Sequence, residues 1–421
     1  MMILIYNLVL LIFLPIMVTR IVIKGFKDRD YLSNFINRFG IYKDSSKDNL
    51  IWFHAVSLGE VIGSEKILRK FIGLKEIILT VSTPTGLRHA QKLYDSKITI
   101  VYAPWDLYIF VWLFIKKFNP ICLVLFETEI WPSMIFLCSK KNIPIILSNA
   151  RLSESALKKY LSFSKFSKYI LSKVSLVLAQ SESHVKRFIQ IGFPKERLIQ
   201  VGSVKFDTSP INHINSQNIF AENKIFLATS THEQEDEIVI ESYVKLLKDF
   251  PSMKLIIVPR HPERCSSILN IFVKKKIKAS IESNLDFNFE NSDGIILNSI
   301  GKLNSLYDLA DVAFIGGSLF SKYGGHNIIE PAQNRCAIIV GPFMMNFEDV
   351  LNLFKDANAC VQIKSYFELP KAYKELMNNN ELRINMIDNA VEVIEKNRGS
   401  SETQYKCISD LINHEISDSN S

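Results

Sequence analysis

Residues Trp52 to Leu68 read WFHAVSLGEVIGSEKIL. An apolar, strand-like run ends at Val56, the chain breaks at Ser57-Leu58-Gly59, and a helical rhythm follows. Glu60 stands at the break, where two readings compete. Ser57-x-x-Glu60 matches a capping box, in which Ser57 bonds the N–H of residue 60 and Glu60 reaches back to the N–H of Ser57. A carboxylate at the end of a buried strand is equally placed to take a proton from a substrate.

The same strand-then-helix pattern recurs along the chain. Strands are predicted at 50–56, 76–81, 98–102, 121–126, 144–147, 176–179 and 198–201. A second series is predicted at 225–228, 255–258, 294–297, 312–315 and 337–340. Each is short and apolar enough to be buried on both faces, as in a parallel sheet covered by helices. The polar, aperiodic stretch Asp207–Glu222 between the series reads as a linker. The expected architecture is α/β, two doubly wound Rossmann-like domains in tandem, the first over 30–207, a linker over 208–222 and the second over 223–416. At 421 residues the chain suits two domains, and 48% hydrophobic with 22% charged residues excludes a disordered protein. Its six cysteines form no C-x-x-C pair, which argues against a zinc site or a disulfide framework.

From Met1 to Thr19 no side chain is charged, and Arg20, Lys24, Lys27 and Arg29 follow directly. About 20 apolar residues are needed to cross a bilayer, and downstream basic residues hold the following chain in the cytoplasm. Residues 1–22 therefore read as an uncleaved single-pass anchor, with an interfacial or buried apolar helix as the alternative. The net charge of +7 is too mild for a dedicated nucleic-acid binder and suits an anionic membrane or phosphorylated substrates.

Ligands of doubly wound domains sit beyond the carboxyl ends of the strands. In the second series that position holds Pro259-Arg260-His261-Pro262-Glu263-Arg264, a stiff basic loop suited to a phosphate, or simply a basic surface loop. It also holds Gly316-Gly317-Ser318-Leu319 and Gly324-Gly325-His326-Asn327-Ile328-Ile329-Glu330, where glycines permit close approach and Asn327 can cap a helix aimed at an anion. Thr229–Glu233 offers hydroxyls, His232 and another helix entry. In the first series the strand ends carry Glu60, Glu127 and Glu129, and Lys205 precedes the linker, expected to face the space between the domains. The apolar run Leu107–Phe118 reads as core or as a lipid-facing patch. There is no P-loop and no H-E-x-x-H, and the single, scattered carboxylates do not suggest a metal site.

Taken together, HAVSLGE, STPTG, APWD, ETEIWP, NARLS, VGSVKFD, PRHPER and GGSL…GGHNIIEP resemble, in order, the motifs of the 3-deoxy-D-manno-octulosonic acid (Kdo) transferase family, over about residues 50–345. The resemblance implies a GT-B glycosyltransferase fold, two Rossmann-like domains facing a cleft, with a CMP-Kdo donor and a lipid A precursor as acceptor at the inner membrane. It implies an inverting transfer that needs no metal or cofactor. Carried over by position, Glu60 is the expected general base, and Glu129 and Lys205 stabilise the transition state. CMP contacts are expected at Arg260, His261, Ile300, Gly301, Lys302 and Asn327, Ile328, Ile329, Glu330. Lys302 stands where the family usually has an acidic residue, which shifts that contact towards backbone. The rival readings are another membrane-associated GT-B transferase, a nucleotide-sugar 2-epimerase, or a non-catalytic nucleotide-sugar binding module.

Overall fold

The computed structural model describes residues 1–43, 49–207, 224–285, 287, 289, 291–298 and 303–419. The expected linker and Ile300, Gly301 and Lys302 lie outside the described residues. The chain divides into two compact units, Met1–Asp207 with Arg398–Ser421, and Thr208–Asn397.

The first unit opens with helix α1 (Met2–Lys27) and then builds a parallel sheet from β1 (Leu50–His54), β2 (Glu76–Val81), β3 (Thr99–Tyr102), β4 (Cys122–Phe126), β5 (Ile145–Ala150), β6 (Leu176–Ala179) and β7 (Leu198–Gln200). The strand order is β3-β2-β1-β4-β5-β6-β7, a Rossmann arrangement whose direction of winding reverses between β1 and β4. Alternate residues of one strand feed different cores. Leu50 and Trp52 pack on one face of the sheet, and Ile51 and Phe53 on the other. Both faces are covered, which is why the strands read as unbroken apolar runs. The helix Tyr108–Phe118 buries Val111, Phe114, Ile115 and Phe118, so the apolar run Leu107–Phe118 belongs chiefly to the core.

Helix α1 is 26 residues long and apolar enough by length and composition to cross a membrane. It is also packed lengthwise on the first unit. Sheltered positions recur at Ile3, Tyr6, Asn7, Leu10, Met17 and Gly25, the spacing of one helix face. Its two polar side chains near the amino end are docked. Tyr6 donates to Asp106 Oδ2 at 2.8 Å, and Asn7 Oδ1 accepts the Tyr108 N–H at 2.6 Å. Asp106, the acid of APWD, also accepts the N–H groups of Ser133 and Met134 at 2.9 Å each, capping the helix Pro132–Lys140 from another loop.

The second unit carries β8 (Ile225–Thr231), β9 (Lys254–Pro259), β10 (Ala279–Glu282), β11 (Gly294–Leu297), β12 (Val312–Ile315), β13 (Ala337–Val340) and β14 (Val361–Gln362), all parallel, in the order β10-β11-β9-β8-β12-β13-β14. Its core joins Phe226, Leu255, Ile257, Phe314, Ile339 and Tyr373.

The expectation that residues 223–416 form one domain is corrected at its carboxyl end. The helix Ser400–Ser419 belongs to the first unit, where it packs against β5 and Ile408 and Ile412 complete the core. Gln404, fully buried, accepts the Ser148 hydroxyl and the Asn149 N–H at 2.7 Å each. Asp207 accepts the N–H groups of Gly399 and Ser401 and so caps the start of the same helix. Burying those apolar side chains and pairing those buried polar groups outweighs sequence proximity to the second unit.

Candidate active site

In the first unit the expected residues gather at the carboxyl ends of the strands. Helix α2 (Leu58–Phe71) starts at Ser57, whose hydroxyl accepts the Glu60 N–H at 3.4 Å. Glu60 folds back, though not as a capping box prescribes. Its Oε2 accepts the N–H of Val56 at 2.8 Å rather than that of Ser57, and its Oε1 accepts the Ser57 hydroxyl at 2.8 Å. Each carboxylate oxygen keeps a further lone pair after these bonds. Only 9% of Glu60 is exposed. Burial, and then the nearby charge of Glu129, push its carboxyl up to about 7, against the opposing hydrogen bonds from Val56 and Ser57. That places it near the pH at which a general base works best.

Glu129 follows β4 in a segment held tightly at several points. Glu127 adopts φ 60°, a left-handed conformation rare for a residue with a side chain, and donates its N–H to Ser148 O at 2.9 Å. Thr128 binds Arg151 O at 2.7 Å, and the Trp131 indole donates to Glu129 Oε2. The Trp131 ring meets His54 edge-on with centroids 5.0 Å apart. His54 bonds Thr80 Oγ1 through Nδ1 at 2.8 Å, and burial drives its pKa down to about 3, so it stays neutral. The histidine of HAVSLGE is thus a post for Trp131, which in turn orients Glu129. Burial raises the Glu129 carboxyl, partly offset by the indole bond. Lys205 lies half-buried in the single turn Val204–Phe206 after β7, its N–H bonded to Ser203 Oγ at 3.4 Å. This turn packs on α2 through Val204, which approaches the bare side of Gly63 beside Phe126.

In the second unit the strand ends after β8, β9 and β12 build one basic, aromatic cluster. Arg260 and His261 are exposed after β9. His232, after β8, stacks on Tyr323 with centroids 3.9 Å apart and meets His261 at 5.6 Å. Its Nε2 lies 2.8 Å from Nε2 of His326, so a single proton sits between the two rings. Burial and the neighbouring cationic groups hold His232 and His326 down at about 4. The pair is therefore neutral at pH 7, and with one N–H spent between the rings it has one ring N–H and one acceptor nitrogen left, beside the fixed charge of Arg260. Arg264, by contrast, is occupied, bonding the buried carboxylate of Asp236 and the carbonyl of Thr231.

Asn327 accepts the Ile329 N–H at 2.9 Å and donates to Glu330 Oε1 at 3.0 Å, which starts the short helix Ile329–Gln333. Ile328 and Ile329 are buried and can offer only backbone. The glycine reading is revised. A β-carbon on Gly316 would stand 2.6 Å from Cα of Thr231, and one on Gly317 (φ 66°) 2.6 Å from the His326 ring. These glycines let protein segments pack closely, so the bare backbone of both is already used.

The residue that sequence reasoning missed is Glu235. It is fully buried at the start of the helix Glu235–Leu246. Its Oε2 accepts the N–H groups of His232 and Gly317 at 2.9 and 2.6 Å, and its Oε1 that of Leu319 at 2.9 Å. One carboxylate thereby ties the β8 loop to the β12 loop. The local signal was the acidic first turn in T-H-E-Q-E-D-E, but two of its three partners lie at sequence separations of 82 and 84. Among the described residues no group of three or more His, Cys, Asp or Glu is arranged to hold a metal ion.

The family model for 3-deoxy-D-manno-octulosonic-acid transferase (kdotransferase) matches residues 33–208. The 3-deoxy-D-manno-octulosonic acid transferase of Haemophilus influenzae is 31% identical over 407 residues, 94% of this chain and 95% of that one. Among solved structures, a glycosyltransferase from Rickettsia africae ESF-5 has a TM-score of 0.59 at 14% identity, over 89% of this chain and 99% of that one. The UDP-GlcNAc 2-epimerase from Neisseria meningitidis, bound to UDP-GlcNAc, gives 0.58 at 12%, over 87% and 100%. At such identities these two share only the fold, two Rossmann-like domains of the GT-B class, and do not favour the epimerase reading. The near full-length match to the Haemophilus protein decides the matter: this chain belongs to the 3-deoxy-D-manno-octulosonic acid transferase family, and it is a glycosyltransferase.

Proposed function

We propose that the chain transfers Kdo from CMP-Kdo to a lipid A precursor, lipid IVA, in lipopolysaccharide biosynthesis, by an inverting displacement that uses no metal. The observation that carries the chemistry is Glu60, a mostly buried carboxylate held by two donors and raised to about 7. Glu60 takes the proton of the acceptor hydroxyl as that oxygen bonds to the anomeric carbon. The bond from that carbon to the CMP phosphate oxygen breaks, and CMP leaves with the electron pair. Attack opposite the leaving group inverts the anomeric centre. Glu129 and Lys205 stabilise charge in this transition state. Arg260, His261, Ile300, Gly301, Lys302 and the segment Asn327–Glu330 bind the donor. One phosphate carries little charge, so an arginine and polarised N–H groups suffice to neutralise it. Helix α1 holds the enzyme to the inner membrane, with both units on the cytoplasmic side.

Incubation with CMP-Kdo and lipid IVA tests the reaction. CMP is expected to be released in step with a glycolipid heavier by whole Kdo residues. No release under conditions where CMP binds would overturn the transferase reading. Arg260→Ala is expected to raise KM for CMP-Kdo about 10- to 100-fold, the worth of a hydrogen bond to a charged group, and to change kcat less. Steady-state kinetics with varied donor read this, and an unchanged KM would remove Arg260 from the donor site.

A further inference from the structure

Lys205 is carried by the single turn Val204–Phe206, where its N–H reaches Ser203 Oγ only at 3.4 Å. One turn is not stable by its own hydrogen bonds. Its placement is set from outside, by the carboxyl end of β5 and by the helix Ser400–Ser419.

Asn149, at the end of β5, is the link. Its Oδ1 accepts the Val204 N–H at 3.3 Å, one residue before Lys205. Asn149 is fully buried, and both of its backbone polar groups are taken by glutamine side chains. Gln404 accepts its N–H at 2.7 Å, and Gln180 donates to its carbonyl at 2.8 Å. The arrangement has two costs. Asn149 adopts φ 51°, which is left-handed, and its buried amide Nδ2 has no hydrogen-bond partner among the described residues. A glycine would avoid both but would lose the bond to Val204.

The carboxyl-terminal helix holds the flanks of the same turn. The Ser400 hydroxyl donates to Gly202 O at 2.9 Å, and Gln404 Nε2 donates to Ser400 Oγ at 2.9 Å. Asp207 accepts the Gly399 N–H at 2.6 Å. The segment is therefore fixed on both sides of Lys205. The end of β5 also carries the loop of Glu129. Ser148 O accepts the Glu127 N–H at 2.9 Å, and Arg151 O accepts the Thr128 hydroxyl at 2.7 Å. Ser148–Arg151 is thus a common mount for Glu129 and Lys205, and Gln404 fastens it through Ser148 Oγ and the Asn149 N–H. Groups that act on one transition state must keep their separation, and a shift of about 1 Å can cost about 10²-fold in rate.

We propose that Asn149, fixed by Gln404 of the carboxyl-terminal helix, is a positioning residue that holds Lys205 at the reacting centre. The proposal rests on the reading that Lys205 stabilises the transition state. Both residues are fully buried and act through Lys205 rather than on substrate.

Gln404→Leu would strand the Ser148 hydroxyl and the Asn149 N–H and mix unfolding with catalysis, so the test falls on Asn149→Gly. Glycine accepts the left-handed backbone and removes only the acceptor for Val204. The full-length variant is expected to melt within about 3 °C of wild type. Its kcat should fall about tenfold, with KM for CMP-Kdo and for lipid IVA changed less than about twofold. A double-mutant cycle separates positioning from general damage. Lys205→Ala alone is expected to lower kcat about 10²- to 10³-fold. Adding Asn149→Gly to it should change kcat less than about twofold, because there is no longer a lysine to misplace. A tenfold loss that persists without Lys205, a loss carried by KM alone, or wild-type kcat in a folded Asn149→Gly protein overturns the positioning role and leaves the transfer reading standing. Wild-type kcat in Lys205→Ala overturns the reading of Lys205 and the positioning role with it. No turnover by the unaltered protein overturns the transfer reading itself.

Discussion

Glu60→Gln is expected to lower kcat for transfer about 10²- to 10⁴-fold, the range of a general base, with the protein fully folded. Glutamine keeps the local fold. Its carbonyl oxygen can accept the Val56 N–H, and its amide can donate to Ser57, whose hydroxyl now accepts. What it lacks is a site for the proton. The wild-type enzyme should therefore gain activity as pH rises, levelling off above an apparent pKa near 7, and the variant should lose that limb. Stability runs the other way. The folded carboxyl holds its proton up to about pH 7 and the unfolded one only to about 4.5. Between those values the folded state carries the extra proton, so wild-type stability falls as pH rises through the window. The variant escapes that loss, which amounts to about 3 kcal/mol from the size of the shift. At pH 8 its melting temperature is expected to equal or exceed that of wild type, and the difference should vanish near pH 4. Retained transfer activity in a folded Glu60→Gln protein would return the residue to the role of a cap.

Glu235→Ala is expected to be the most destabilising single change in the second unit, by about 3–5 kcal/mol, because it leaves three N–H groups without their acceptor. The damage should extend to the donor. The His232 loop and the Gly317 segment are tied by this one carboxylate, and His326 packs against Gly317. CMP affinity, measured calorimetrically at a temperature where the variant is still folded, should drop at least tenfold with no donor contact removed. Glu235→Gln should fall between the two proteins, since one of its terminal atoms can no longer accept. Normal CMP binding by a folded Glu235→Ala protein would separate the bracing of these loops from donor recognition.

The strands were legible where both faces of the sheet are covered, because burial on two sides writes a continuous apolar run. They were illegible at the edge of the second sheet. Strand β10 reads ASIE and is only partly buried, and β14 is the dipeptide Val361-Gln362, too short to leave a pattern. The strand-helix alternation placed Glu60, Glu129 and Arg260 after strand ends, where the structure has them, since a strand, a break and a helix are local events. At SLGE the geometry is compatible with both a cap and a base. The same two donors that hold Glu60 in place leave it lone pairs, and its burial raises its affinity for a proton. The glycines misled for the opposite reason. A glycine records that something approaches the backbone, and only the folded chain shows that Thr231 and His326 are what approaches. The His232–His326 pair and Glu235 depend on loops far apart in sequence, beyond any reading of spacing.

The placement of Gln404 sets an order of events during synthesis. A ribosome that has made everything through Asn397 has delivered all seven strands of the first sheet, yet Ile408 and Ile412 are still to come. Until they emerge, the apolar face at β5 lacks its cover, and Ser148 and Asn149 lack the side chain that accepts their hydrogen bonds. The second unit is free to fold first, although it is made second. Chains interrupted late in translation would then expose a sticky surface on the earlier half, which is where chaperones and proteases would recognise them.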